Sequence, residues 1–170
     1  MKQFQIFIFL LLLCSCSDSV KENSEDYFYG FLRNSKNNYN VLLTINTRFD
    51  ECGEWGGHFE KITIFSKNED EKIYADYEET KVDCGSLGKY GNLNQNVSVR
   101  KTQKMNDLKK TAIKNYLRNL VDYKSKDFVT GNSGKSYSAV SQDSSFQISL
   151  YTNSSDCERS FKELKSKLNF

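Results

Sequence analysis

The sequence predicts an α+β domain: an antiparallel sheet of about four to five strands packed by two or three helices. Three observations carry the prediction. Alternating runs rich in β-branched and aromatic residues succeed one another across polar turns between residues 39 and 101. From 105 to 123 the apolar spacing lengthens to a helical period, and a capping box at Ser155 and Glu158 opens a last amphipathic stretch. Strand runs joined by local turns pair most economically as antiparallel neighbours, and helices with one apolar stripe cover a sheet face. Strand order is not readable from this pattern.

The first helical signal lies at 22–37, where Tyr27, Phe28, Phe31 and Leu32 keep close to a 3.6 period behind Ser24 as a cap. Gly30 weakens it. At 39–49 the chain alternates, with Val41, Leu43, Ile45 and Phe49 on one face and Leu42, Thr44, Asn46 and Arg48 on the other. The turn-rich DECGEWGG at 50–57 leads to a returning strand at 58–68, and a third strand at 71–82 follows the polar turn 67–70. After the glycine-containing loop DCGSLGKYGN, NVSVRK at 96–101 reads as a short fourth strand.

Met105, Leu108, Ala112, Ile113, Tyr116, Leu117, Leu120 and Val121 form a broad apolar stripe, with the lysines and Arg118 mostly off it. The polar segment 124–145 has room for a short strand at 137–140, and FQISLY at 146–151 reads as the last strand. In the closing helix, the capping box places Cys157, Phe161, Leu164 and Leu168 on one face.

Two short motifs invite a chemical reading. GNSGKS at 131–136 has the end of a phosphate-binding loop, but Val129 stands where its first glycine is needed, so an ordinary surface loop is the better reading. ECGEWGGH at 51–58 combines adjacent glycines, the lone Trp55, the lone His58 and the carboxylates of Glu51 and Glu54. It reads either as a ligand-binding hairpin tip or as an irregular turn in which Trp55 covers a core edge. The residues assigned to binding are Glu51, Glu54, Trp55 and His58, with Trp55 first.

Catalysis has thinner support. Cys52 or Cys84 beside His58 would make a thiolate pair, and Glu51, Glu54, Asp76 or Asp83 would supply a carboxylate, yet no spacing selects a triad or a glycosidase pair. Cys52, His58, Cys84 and Cys157 would complete a Cys₃His metal site, but they lack the close C-x₂₋₄-C pairing of structural zinc. No catalytic residue, metal or cofactor is therefore assigned. The formal charge of +2 and the lack of a basic block exclude a nucleic-acid footprint.

Location is more legible. Lys2 and the 11-residue apolar run 4–14 have the charge and length of a signal peptide and fall short of a membrane-spanning helix. Leu13-Cys14-Ser15-Cys16 resembles the lipobox of bacterial lipoproteins, with leucine at minus three and a small residue at minus one. The resemblance implies cleavage before Cys16, diacylglycerol on its thiol and acylation, such as palmitate, of the new amino terminus. Cleavage there makes 1–15 the signal peptide; by composition 16–26 reads as a polar tether, and the length of the remainder suits one domain at 27–170. The resemblance also implies a lipid anchor in the bacterial cell membrane or outer membrane with the domain outside the cytoplasm.

An exported domain favours oxidised cysteines. Cys52 and Cys84 lie in glycine-containing loops flanking neighbouring strands and are the expected disulfide; Cys157 lies on the apolar stripe of the last helix and is expected as a buried thiol. The functional expectation is a lipid-anchored interaction module for an envelope protein, a glycan or a small ligand. The alternatives are an exported hydrolase using the His58 region and a structural envelope component.

Overall fold

The computed structural model describes residues 39–53, 56–67, 72–87, 93–126 and 134–170. The expected helix at 22–37, the signal peptide and the tether lie outside the described residues. Among the described residues six strands and two helices follow in the order β1 (Tyr39–Arg48), β2 (Phe59–Lys67), β3 (Ile73–Leu87), β4 (Leu93–Lys104), α1 (Asp107–Lys126), β5 (Lys135–Ser141), β6 (Gln147–Thr152) and α2 (Ser155–Leu168). The strands form one antiparallel sheet in the order β4-β3-β2-β1-β5-β6. The expected α+β class is therefore correct, while the expected four to five strands become six. The polar stretch around 137–140 supplies a full strand, Lys135–Ser141, because it pairs on both sides, with β1 and with β6.

The first four strands form a meander. After β4, α1 crosses the sheet and returns the chain to the free side of β1. Both helices cover the same face, where Leu43, Ile45, Ile62, Ile64, Ala75, Tyr77, Tyr137, Ala139 and Leu150 meet Ile113, Tyr116, Leu117, Leu120, Phe161, Leu164 and Leu168 in one core. Cross-strand rows explain the selection. Ile45 stands opposite both Ile62 and Ala139, and Ile62 stands opposite Tyr77, so where the register is regular alternate residues of neighbouring strands add to the same layer.

Three local expectations are corrected. In β1 the register slips between Val41, opposite Phe65, and Leu43, opposite Ile64. The extra residue, Leu42, turns into the core beside Leu43, whereas strict alternation puts Val41 there. In α1 the buried row is Lys109, Ala112, Ile113, Lys114, Tyr116, Leu117 and Leu120. Leu108 is 81% exposed and Val121 50% exposed, so the expected stripe extends beyond the buried row near each end of the helix. Two lysines expected on the wet side are buried instead. Lys109 extends along the helix so that its Nζ donates to Gln103 Oε1 at 3.4 Å and to the Lys104 carbonyl at 3.3 Å.

In α2 the cap falls on Ser154, one residue before the expected Ser155. Ser154 has extended backbone angles and its hydroxyl accepts the Asp156 N–H at 3.3 Å. Glu158 is drawn instead to Lys135 and Lys162. The predicted inner face holds, since Cys157, Phe161, Leu164 and Leu168 are all buried. At the other end Asn169 adopts the left-handed conformation at φ 64°, and the Asn169 and Phe170 N–H groups donate to Ser166 O and Lys165 O at 3.1 and 3.0 Å. That reversal lays the Phe170 ring on Tyr77, with centroids 5.1 Å apart.

Candidate functional site

The connection from β1 to β2 begins with a closed base. The Phe49 N–H donates to the His58 carbonyl at 3.0 Å, and the two rings stack in parallel with centroids 4.3 Å apart. Three further backbone hydrogen bonds fold the intervening residues: Gly53 N–H to Asp50 O at 2.9 Å, Gly56 N–H to Gly53 O at 3.0 Å and Cys52 N–H to Gly56 O at 2.7 Å. This turning chain brings Glu51 back over His58. One Glu51 oxygen contacts Nδ1 of the ring, and the other accepts the His58 backbone N–H at 3.1 Å.

The paired glycines make that return possible. A Cβ on Gly57 would sit 1.7 Å from Glu51 Oε2, so the carboxylate occupies the volume that any other side chain would need. Gly56 sits at φ +86°, a conformation that L side chains rarely adopt. The glycine pair predicted from sequence as a turn thus has two separate duties. One residue bends the chain and the other admits a carboxylate.

On its other side His58 faces the sheet, with Nε2 3.4 Å from Glu60 Oε1. Glu60 points into the core-facing row of β2 and its side chain is only 7% exposed, so its charge must be met by protein groups. Lys165 of α2 reaches its Oε2 at 2.5 Å, and the Tyr77 hydroxyl lies 2.5 Å from the same oxygen and 2.6 Å from Glu79 Oε2. The single phenolic hydrogen is shared between two carboxylates. Lys165 Nζ also stands 4.7 Å over the Tyr77 ring and 3.9 Å from Glu79. Burial is the largest cause that lifts the Tyr77 phenol far above its ordinary range, and the two glutamates add to it. The phenol is therefore a donor in this network and not a proton source near neutrality.

Of the four binding residues expected, Glu51 and His58 are brought together, while Glu54 and Trp55 lie outside the described residues. The expected disulfide is present. Cys52 and Cys84 are bonded with their Cα atoms 5.3 Å apart, and Cys157 is a buried cysteine outside the bridge. Cys16, the expected lipid site, lies outside the described residues. With both sulfurs committed, neither the thiolate–histidine pair nor the Cys₃His metal set can form. Among the described residues no group of three or more histidine, cysteine, aspartate or glutamate side chains is placed to hold a metal ion.

The remaining candidate acids serve elsewhere. Asp76 accepts from the Thr102 hydroxyl at 2.6 Å, and Asp83 accepts the Gly85 N–H at 3.0 Å. Glu60, Tyr77, Glu79 and Lys165 were not expected in the site, although two of them carry a readable signal. Glu60 stands in the alternating row of Ile62 and Ile64, and Lys165 follows Phe161 by four residues and precedes Leu168 by three, so each is a charge at a core-facing position. Lys135, the lysine of the GNSGKS string, starts β5 and pairs with Glu158.

Both His58 nitrogens face carboxylates, and among the described residues neither faces a hydroxyl or a thiol. Only the doubly protonated ring can donate on both sides. The arrangement is suited to fixing the shape of the 50–58 connection from beneath. Comparison with protein-family models, with curated protein sequences and with solved structures gives no match.

Proposed function

We propose that the protein is a lipid-anchored interaction module of a bacterial envelope, held through Cys16 and presenting the 51–58 tip to an envelope protein, a glycan or a small ligand. The observation that carries the reading is the closure of His58 between Glu51 and Glu60. A general base needs a nitrogen free to face its substrate or nucleophile, whereas a recognition tip needs a backbone held in one conformation before the partner arrives. The bridge between Cys52 and Cys84 supports an oxidising compartment outside the cytoplasm. An exported hydrolase working through His58 has less support, since no nucleophile among the described residues adjoins the ring. A purely structural envelope component would need no shaped tip.

Trp55 is the residue on which recognition is placed, because an aromatic anchor supplies contact area without a tuned proton affinity. Trp55→Ala should weaken capture of the envelope partner by about 2 kcal/mol or more, roughly thirtyfold, while the urea midpoint stays close to that of the parent. Envelope extract passed over immobilised parent and variant, beside urea unfolding of both, makes the measurement. Equal capture by the variant, or a stability loss of roughly 3 to 5 kcal/mol as for a buried aromatic, would reject the assignment.

A further inference from the structure

The strands next to the tip are unequal in length. Pairing of β2 with β3 reaches Glu60 opposite Glu79, whereas β3 continues along β4 through Thr80–Val97, Lys81–Asn96 and Val82–Gln95 to Leu87–Leu93. Residues 80–87 and 93–97 therefore make a two-stranded arm that runs beyond β2 and alongside the 50–58 connection. Two residue pairs join the arm to the foot of that connection, Thr80 with Phe59, whose carbonyl also accepts from the Thr80 hydroxyl at 3.2 Å, and Gln95 with Gly57. The Phe59 N–H donates to Thr80 Oγ1 at 2.8 Å, and Gln95 Nε2 donates to the Gly57 carbonyl at 3.0 Å. The Cys52–Cys84 bridge is different, because it alone among the described links ties residues 50–53, and with them Glu51, to the arm.

We propose that this bridge is a redox-operated latch on the tip. Exchange with a dithiol reductant breaks the Sγ–Sγ bond; two electrons and two protons pass to Cys52 and Cys84, which become thiols, and the reductant becomes its own disulfide. Access favours the exchange, since Cys84 is exposed and Cys52 half-buried, and exposed bridges are the labile and regulatory ones. Neither cysteine belongs to the core shared by the sheet and the two helices. Once the bridge opens, residues 50–53 and Gly56 are kept in place by three turn hydrogen bonds and by the contact of Glu51 with His58, while the Gln95 and Thr80 links still hold the foot at Gly57 and Phe59. Release is thus confined to the tip. Its effect on partner capture rests on the reading of 51–58 as a recognition surface; the latch itself does not.

Hydrogen exchange of the full chain, oxidised and then reduced by dithiothreitol, tests the latch without any partner. The Cys52, Gly53 and Gly56 amides should exchange at least about tenfold faster after reduction, with β1 and α1 unchanged, and should regain protection on reoxidation. The Cys52→Ser, Cys84→Ser double variant should reproduce the reduced pattern under oxidising conditions. Tip protection that is the same in both states would overturn the proposal. Loss of protection throughout the sheet would overturn it too, by making the bridge a staple of the whole fold. Capture measured on the same samples separates the two readings: released amides with unchanged capture would leave the latch standing and remove 51–58 from recognition.

Discussion

At the scale of single residues the site is governed by where a charge can be placed. Glu51 lies against Gly57 because no side chain competes for that volume, and its two oxygens then hold the ring and the backbone of His58. Gly57→Ala should push the carboxylate away and cost about 1 to 3 kcal/mol, the usual penalty for an inserted methyl in a filled space. The His58 ring signals in an NMR spectrum should move with it. Glu51→Gln keeps the volume and should show less change in stability than Gly57→Ala in parallel urea titrations. The reverse order would assign the glycine to backbone bending instead.

At the scale of elements the packing of α2 on the sheet has an electrostatic fastening at each end. Lys165 meets Glu60 near the carboxyl end, and near the amino end Glu158 lies between Lys135 of β5 and Lys162 of its own helix. The hydrogen bond from Lys135 is the largest cause that holds the Glu158 carboxyl below its ordinary value of 4.5, and the same contact raises Lys135 above 10.5. The directions settle the signs. The lowered carboxyl adds stability that is complete above the unfolded value and is lost as pH falls through the folded one; the raised lysine adds stability below 10.5 that is lost as pH rises through its folded value. Glu158→Gln should therefore cost about 1 kcal/mol near neutrality and flatten both the acid and the alkaline limb of a stability profile. Urea midpoints from pH 3 to 11, a range of about eight units around those values, provide the check. Limbs as steep as the parent's would place the pH dependence elsewhere.

For the whole molecule, the described helices α1 and α2 cover one face of the sheet, and the other face carries polar cross-strand rows beside a buried Phe65 that stacks on Tyr74. Rows such as Ser138–Asn46–Lys61–Glu78–Arg100 cross five strands, and within that row Glu78 pairs with both Lys61 and Arg100. The tip and the arm stand together at one end of this sheet, joined by the bridge. In the proposed setting, residues 16–26 tether that assembly to lipid. One acyl chain binds a bilayer only marginally at about 0.8 kcal/mol per buried CH₂, so stable attachment requires the two or three chains of a modified Cys16. Mass spectrometry of the mature amino-terminal peptide should find Cys16 acylated, and Cys16→Ser should move the protein from the membrane fraction to the soluble one. An unmodified chain starting at a later serine would refute the anchor.

The sequence by itself determined the α+β class, the strands at 39–49 and 58–68, the inner face of α2 and the pairing of Cys52 with Cys84. These depend on local periodicity and on which loops flank adjacent strands, and both are written along the chain. Leu42 in place of Val41, Lys109 and Lys114 in the buried row of α1, and the cap at Ser154 were settled by tertiary structure. A bulge, a long aliphatic stem and a competing pair of lysines each override a periodic rule only when a second element is present. The same holds for the site. Glu51 and His58 were legible as unusual residues in a glycine-rich turn, but Glu60, Tyr77, Glu79 and Lys165 come from β2, β3 and α2 and meet only once the register between strands and the crossing of α2 are established. A charge in an apolar row shows in a sequence; the partner that makes its burial tolerable is found in the folded structure.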